Sequence, residues 1–211
     1  MNIHSLVPVR QVSPAVRDEP AAGKREAILR AAIRVFARHG YFNAQVADIA
    51  REAGVAAGTV YLYFRSKDDL LVSIFERTMK EARTEATAAL ADVSDPVERL
   101  RRLARLHLQR LGRDRDLAIV FQVELRQSTK FMERFSETHV REYLGIIRQA
   151  IADAQAARVF RKTVNPTSAA KIFFGALDEM ATNWILSKRR YSLVAEADAV
   201  LDVLVNGLTR Q

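Results

Sequence analysis

The feature that most constrains the fold is a pair of short amphipathic helical patterns separated by a glycine in residues 45–68. In the first pattern, small and aliphatic residues recur at the i, i+3, i+4 and i+7 spacing of one buried helical face. Gly54 follows, at the place where a left-handed residue ends a helix without a Cβ clash. In the second pattern Val60 and Phe64 share one face at i, i+4 spacing. The sequence therefore predicts a helix-turn-helix.

The outer face of the second helix carries residues suited to double-stranded DNA. Thr59 and Leu62 are predicted to face base edges in the major groove, where Leu62 can touch a thymine methyl group. Tyr61 and Tyr63 are predicted to position the backbone through hydroxyl–phosphate hydrogen bonds, and Lys67 to add a further phosphate contact. A helical hairpin with an aromatic surface and no DNA-binding role is the alternative interpretation.

Two further residues belong to the predicted DNA-binding set. Gly58 is small enough to let the first turn of the helix approach a groove closely, and Lys24 begins the first predicted helix of the domain. Both lie within the same segment as the helix-turn-helix. They are therefore predicted DNA contacts as well.

Residues 58–67 read Gly-Thr-Val-Tyr-Leu-Tyr-Phe-Arg-Ser-Lys. With this motif, residues 24–71 resemble the DNA-binding domain of the TetR family of repressors, in which three helices precede a long connecting helix. The resemblance implies a homodimer that places two recognition helices on a palindromic operator. Many family members carry a hydroxyl residue and a lysine where this chain has Ala56 and Ala57, so an N-cap and a phosphate contact are missing.

Composition excludes several functional classes. The chain has 211 residues, of which 49% are hydrophobic, enough for a sizeable core, and a net charge of +8 that suits a polyanionic partner. It contains no cysteine, which excludes disulfides, thiolate metal sites and cysteine nucleophiles. No apolar run reaches the length of a transmembrane helix, and no hydrolase elbow, phosphate loop or paired-histidine motif is present. We expect a cytoplasmic protein that is not an enzyme and has no metal or cofactor.

Helical periodicity along the chain predicts an all-α fold. Three regions are expected: a flexible N-terminal arm (1–23), a three-helix DNA-binding domain (24–79), and a larger helical ligand-binding and dimerisation domain (80–211). In the last region, residues 117–127 and 131–156 are each predicted to form one continuous helix. The two final helices are predicted to form the dimer seam. The apolar faces assigned to that seam are Phe173, Ala176, Leu177 and Met180 on one helix and Val200, Leu201, Leu204, Val205 and Leu208 on the other.

The segments 116–128, 174–179 and 191–194 are similar to the fatty-acid-degradation repressors of the TetR family, the FadR type. This resemblance implies that long-chain acyl-CoA is the effector and that its binding releases the protein from operators of fatty-acid-degradation genes. An acyl chain needs an apolar tunnel, for which helix-face residues are available. The candidate tunnel residues are Phe121, Leu125, Phe131, Phe135, Leu144, Ile147, Phe173, Leu177 and Trp184.

The phosphates of CoA need cations at the tunnel mouth. Arg102, Arg105 and Arg126 are the candidates, since guanidinium groups bind phosphate through two parallel hydrogen bonds. Arg126 can instead pair with Glu124 or Glu179. His107, which lies on an apolar stripe, is interpreted as a hydrogen-bonded core histidine rather than a ligand contact.

The acidic residues of the second region leave an alternative effector open. Regulators that sense cationic drugs often use carboxylates in their pockets, and Asp178, Glu179 and Glu124 are available for this role. A TetR-type repressor that senses a cationic drug or another apolar ligand is therefore the alternative function. The excess of arginine favours an anionic ligand instead.

Overall fold

The computed structural model describes residues 19–127, 133 and 136–209. These residues are mainly helical, which confirms the all-α fold class, and their one β-type contact is a single bridge between Phe160 and Thr209. The α-helices in this part of the chain are α1 (Glu19–His39), α2 (Val46–Ala53), α3 (Ala57–Tyr63), α4 (Lys67–Leu90), α5 (Pro96–Arg113), α6 (Arg115–Ile119), α7 (Arg141–Ala156), α8 (Pro166–Leu186) and α9 (Glu196–Leu208).

Helices α1, α2 and α3 pack around a first core, which Phe36 of α1 and Val60 and Phe64 of the α3 region help to fill. Both turns depend on glycine. Gly40 (φ +76°) follows α1, and Gly54 (φ +68°) ends α2 in the left-handed conformation. These two positive φ angles redirect the chain within a few residues, so α2 and α3 form the predicted helix-turn-helix.

Helix α4 joins the first core to a second one. It begins at a Ser66 N-cap, whose hydroxyl accepts a hydrogen bond from the Asp69 N–H at 3.1 Å. Its first half, through Phe75, packs into the first core, and from Met79 onward it packs into the second. The change from the first core to the second thus falls between Phe75 and Met79, and the domain boundary remains a prediction.

The second core lies among α4, α5, α7, α8 and α9. Helix α5 begins at an Asp95 N-cap followed by Pro96, and α8 begins at an Asn165 N-cap followed by Pro166. In both cases the cap oxygen accepts a backbone N–H, and proline supplies the helical φ of the first turn.

Residues 117–127 do not form the single α-helix that the sequence predicted. Helix α6 ends at Ile119 and continues as a π-helical turn, Val120–Glu124, and then a 3₁₀ turn, Leu125–Gln127. A π-turn widens the helix and rotates the following side chains relative to a regular helix, a change that hydrophobic spacing does not reveal. We call residues 115–127 the junction segment, because Leu117, Val120 and Leu125 pack into the first core although the segment belongs to the second region.

Three other sequence predictions need correction. Helix α1 begins at Glu19, so residues 19–23, assigned to the flexible arm, are helical. In the predicted helix over residues 131–156, the described stretch from residue 136 onward is not one regular α-helix: it starts with a π-turn, Ser136–Val140, and becomes α-helical at Arg141. The predicted dimer seam includes Phe173, Leu177 and Leu201, which the chain buries in its own second core.

Among the described residues, no helix is both long and apolar enough to cross a membrane.

Candidate DNA-binding helix and ligand cavity

Helix α3 presents an apolar and aromatic surface. Leu62 is 82% exposed and Tyr61 is 56% exposed, whereas Val60 on the opposite face is 1% exposed. A side chain added at Gly58 would meet no heavy atom within 4 Å, so this turn is open to a close approach from outside. A large exposed apolar surface on a short helix is typical of a contact surface. This arrangement matches the predicted recognition helix, and Thr59 and Tyr63 lie half-buried beside it.

Lys67 has a role that the sequence analysis did not include. Its ammonium group donates hydrogen bonds to the carbonyl oxygens of Phe42 and Ala44, both at 3.0 Å, and lies 4.7 Å from the centroid of the Tyr41 ring. These contacts tie the start of α4 to the loop between α1 and α2. Lys67 thus holds the DNA-binding region together from within, and its predicted phosphate contact remains a prediction. Lys24 is exposed on α1.

The described part of the second region contains a small cavity of about 70 Å³ between α4, α5, the junction segment, α7 and α8. Its wall is mainly apolar and includes Met79, Phe121, Tyr143 and Phe174. His107 lines it from α5, with its ring edge-on to Phe174 at a centroid distance of 5.4 Å. An apolar cavity with a few polar groups is the usual form of a small-molecule site.

A hydrogen-bonded cluster forms one side of this cavity. Gln122 of the junction segment donates from Nε2 to the Asp178 carboxylate at 2.6 Å, and Arg126 also pairs with that carboxylate. The side-chain amide oxygen of Gln122, Oε1, accepts from Arg126 at 3.1 Å and from the Thr182 hydroxyl at 3.2 Å. The cluster fixes the junction segment to α8 through groups that a ligand in the cavity would touch.

The junction segment also contacts the DNA-binding region directly, through Glu124 and Phe121. Glu124 is 6% exposed, and its Oε2 accepts a hydrogen bond from the Tyr41 backbone N–H at 2.6 Å. The Phe121 ring, which lines the cavity, contacts the Phe75 ring edge-on at a centroid distance of 4.5 Å. Residues 121–124 of the junction segment therefore contact both the cavity and the loop that precedes the helix-turn-helix.

Tyr41 extends this connection to α4. Its hydroxyl donates to Asp68 in the first turn of α4, and Lys67 lies over its ring. Burial, together with the hydrogen bond and the charge of Asp68, raises the pKa of Tyr41 well above its usual range, so the phenol stays protonated. The backbone N–H of Tyr41 thus faces the junction segment while its side chain faces the start of α4.

The structure distributes the predicted tunnel residues over several places. Phe121 lines the cavity, but Leu125 packs into the first core and Ile147, Phe173 and Leu177 into the second, each 3% exposed or less. Their apolar faces meet neighbouring helices, so the prediction that these four line a tunnel does not describe this structure. Leu144 is not part of the cavity wall either. Phe131 and Phe135 lie outside the described residues.

Trp184 lies outside the cavity. It faces a separate cleft, where the Arg115 guanidinium is 5.1 Å from its ring centroid and its indole N–H donates to the Tyr191 carbonyl at 3.0 Å. Trp184 therefore does not line the cavity in this structure, and its assignment to an acyl tunnel remains a prediction. The ring closes the end of α8 against α6 and the loop that follows α8.

The three predicted phosphate-binding arginines lie in different places and pair with different carboxylates. Arg102 pairs with Asp92 at 3.0 Å and Arg105 with Asp198 at 2.8 Å, and neither lines the cavity. Arg126 reaches the cavity through Asp178 rather than pairing with Glu124 or Glu179. Among the described residues that line the cavity, the cation is Arg110. The sequence analysis did not select it, because residues 99–115 contain seven arginines and their spacing does not distinguish the one that lines a cavity.

His107 was expected to be a satisfied core histidine, and this interpretation is wrong. Its Nε2 is buried and has no hydrogen-bond partner among the described residues. Burial lowers the pKa of His107, while the charge of Asp178 acts in the opposite direction more weakly. The imidazole is therefore neutral at neutral pH, and His107 is one of the residues that line the cavity.

Comparisons with known proteins agree with this two-part arrangement. Residues 28–74 match the family of bacterial regulatory proteins of the tetR family, and residues 75–207 match the C-terminal region of YsiA-like proteins. The fatty acid metabolism regulator protein of Bacillus subtilis (strain 168) is 34% identical over 181 residues, which is 86% of this chain and 93% of that protein.

Solved structures show the same fold. The fatty acid degradation regulator FadR from Bacillus halodurans superposes with a TM-score of 0.83 at 34% identity, covering 95% of this chain and all of that one. FadR from Bacillus subtilis in complex with stearoyl-CoA gives a TM-score of 0.82 at 34% identity, over 87% of this chain and 98% of that one. With its exposed recognition helix, its cavity-bearing second region and these relatives, the chain belongs to the TetR family of transcriptional regulators.

Proposed function

We propose that this regulator represses fatty-acid-degradation genes and that a long-chain acyl-CoA releases it from its operator. The observation that carries this proposal is the position of the junction segment. Its residues Phe121 and Gln122 line the cavity, and Glu124, two positions later, holds the Tyr41 N–H. Relatives that share a third of its residues are fatty acid regulators, and one of their structures contains stearoyl-CoA.

The size of the cavity supports a mechanism of release. At about 70 Å³ it is far smaller than the roughly 300–1,000 Å³ of typical ligand sites. A long acyl chain, which gains about 0.8 kcal/mol for each buried CH₂, has ample free energy to move the wall. The junction segment is the wall that continues into the first core through Val120 and Leu125, so its displacement changes the position of the helix-turn-helix. Ligand binding and operator binding then favour different conformations.

Operator recognition requires two copies of α3, because one short helix reads few base pairs. We propose a homodimer formed through the outward faces of α8 and α9. Ile172 and Leu186 on α8 are 59% and 71% exposed, and Val203 on α9 is 75% exposed. These apolar side chains replace the residues that the sequence assigned to the dimer seam. Two recognition helices related by a two-fold axis fit a palindromic operator, and such a protein acts in the cytoplasm, where the DNA is.

The cationic-ligand alternative has less support, because the acidic residues proposed for it already have partners. Asp178 pairs with Arg126, and Glu124 accepts the Tyr41 N–H outside the cavity wall. Glu179 is exposed and accepts a hydrogen bond from Asn183 at 2.7 Å. None of the three offers a free carboxylate to a cation in the cavity.

The test begins with the operator, which can be selected from randomised double-stranded DNA by the purified protein. Fluorescence anisotropy then measures operator affinity with and without stearoyl-CoA, with CoA alone as the control. We expect a loss of at least tenfold at saturating stearoyl-CoA, equivalent to about 1.4 kcal/mol of coupling, and no loss with CoA alone. Unchanged affinity with stearoyl-CoA would show that acyl-CoA is not the effector.

A cationic ligand tests the alternative in the same assay. Choline or a quaternary ammonium dye should leave operator affinity unchanged. Release by the cation but not by stearoyl-CoA would support the alternative function.

A further inference from the structure

Two buried side-chain nitrogens that have no hydrogen-bond partner among the described residues belong to residues of α5 that line the cavity. They are the Nε2 of His107 and the Nε of Arg110. A spacing of three residues places both side chains on one face of the helix. The Nε of Arg99 is the third such atom in the described ranges, but Arg99 does not line the cavity. The two cavity-lining nitrogens therefore form a local polar feature in a mainly apolar wall.

The surroundings of these nitrogens define what they can bind. Each terminal nitrogen of Arg110 has a carboxylate partner, Glu85 or Glu81, whereas the buried Nε has none, and its N–H can donate but not accept. The His107 ring packs against Phe174 and Tyr143, with centroid distances of 5.4 Å and 6.0 Å. With its proton on Nε2, the neutral imidazole is a second donor. A ligand carbonyl oxygen, which has two lone pairs, can accept from two such donors.

The local charge selects between kinds of oxygen. Arg110 is held by the carboxylates of Glu81 and Glu85, and Glu81 also pairs with Arg77 at 2.7 Å, so the charge of the Arg110 guanidinium is already balanced. The Asp178 carboxylate on the opposite wall is balanced by Arg126. No cation on this side remains uncompensated among the described residues that line the cavity. A carboxylate ligand would lose its hydration there without gaining a free countercharge, whereas a neutral carbonyl oxygen loses far less.

We propose that His107 and Arg110 together bind the neutral thioester carbonyl of the acyl ligand, and that this contact makes the regulator respond to acyl thioesters rather than to free fatty acids. The inference depends on the proposed function, since it concerns how the same cavity reads its effector. It assigns His107 and Arg110 as specificity-determining residues. A buried donor that gains its only partner from the ligand discriminates strongly against an analogue that lacks the acceptor.

The test compares two ligands that differ only at the carbonyl: stearoyl-CoA and its thioether analogue octadecyl-CoA, in which a CH₂ group replaces the C=O group. Calorimetric titration of the full-length protein gives both dissociation constants, and stearate is titrated as the free acid. We expect stearoyl-CoA to bind about tenfold more tightly than octadecyl-CoA, equivalent to about 1.4 kcal/mol, and stearate to bind more weakly than either.

Variants locate the effect. In His107→Phe the ratio between the two CoA ligands should fall toward one. In His107→Gln, whose amide nitrogen can occupy the place of Nε2, part of the preference should return. Gln109→Ala is the matched control, because Gln109 belongs to α5 but does not line the cavity, and its ratio should equal that of the wild type.

Equal affinity of the wild type for the two CoA ligands would overturn the inference, even if the His107 variants do not fold. So would a preference that persists in a folded His107→Phe variant. If both CoA ligands bind and release the operator equally well, the proposed function stands and only the carbonyl contact is wrong. If neither binds, the proposed function itself fails.

Discussion

Replacement of Glu124 by alanine removes the hydrogen bond by which the junction segment holds the loop before the helix-turn-helix. The carboxylate is 6% exposed and accepts the Tyr41 N–H at 2.6 Å, and Tyr41 is 5% exposed, so water cannot replace the lost partner freely. Hydrogen bonds to charged groups contribute about 1.5–3 kcal/mol, and an unsatisfied buried N–H costs about 1–3 kcal/mol. We therefore expect Glu124→Ala to lower the free energy of unfolding by about 2 kcal/mol.

The same substitution should act on DNA binding. If the Glu124–Tyr41 contact belongs to the operator-binding conformation, its loss shifts the equilibrium toward the released conformation by the same free energy. About 2 kcal/mol corresponds to a shift of up to roughly 30-fold, which lowers operator affinity before any ligand is added. Stearoyl-CoA then has less to change, so its additional effect on affinity should shrink.

Three measurements decide this prediction: urea denaturation, operator anisotropy without ligand, and operator anisotropy at saturating stearoyl-CoA. Glu124→Gln keeps one acceptor oxygen and should fall between wild type and Glu124→Ala. Asp198→Ala is the control, because Asp198 is an exposed carboxylate that pairs with Arg105 and should leave all three quantities unchanged. Wild-type operator affinity together with wild-type release in Glu124→Ala would refute a role for this contact in the switch.

The remaining predictions concern α3, its support and the cavity histidine. Leu62→Ala should leave the urea midpoint unchanged, because Leu62 is 82% exposed, while operator affinity falls by about 1–3 kcal/mol in anisotropy titrations. Phe64→Ala should lower the free energy of unfolding by about 3–5 kcal/mol in urea denaturation, since Phe64 is 2% exposed. Lys67→Met should lower stability in the same assay, because two carbonyl oxygens lose their donor. Burial lowers the pKa of His107 below 6.5, so as the pH falls the unfolded chain binds the proton before the folded chain does. The contribution of His107 to the free energy of unfolding is therefore complete above about pH 6.5 and decreases below it by up to about 1.4 kcal/mol per pH unit. Urea denaturation at pH 7.5 and 5.5 should show this decrease in the wild type and not in His107→Phe.

The helix-turn-helix could be predicted from sequence because its determinants are local. Gly54 needs a positive φ, and Val60 and Phe64 share one face through nearest-turn spacing, so a few consecutive residues carry the whole pattern. The same holds for the helix caps at Asp95 and Asn165, where a cap residue precedes proline. Each of these features depends on contacts within about four residues.

The cavity could not be predicted in the same way. Phe173 and Phe174 are neighbours on α8, yet the first fills the core and the second lines the cavity, and only the packing of several helices decides between them. His107 lies on the same stripe as Leu103 and Leu111, and no local pattern reveals that its Nε2 lacks a partner. The π-turn after Ile119 lies in a segment that packs against both cores, and local residue spacing does not reveal it.

The small volume of the cavity has a kinetic consequence. A chain of eighteen carbons cannot enter about 70 Å³, so side chains such as Phe121 and Tyr143 have to separate before or while the ligand enters. If separation comes first, the observed association rate should reach a plateau as ligand concentration rises, at the rate of that opening step. The rate of this opening step would then limit how fast a cell carrying this regulator responds to its effector. A higher effector concentration would not shorten the delay.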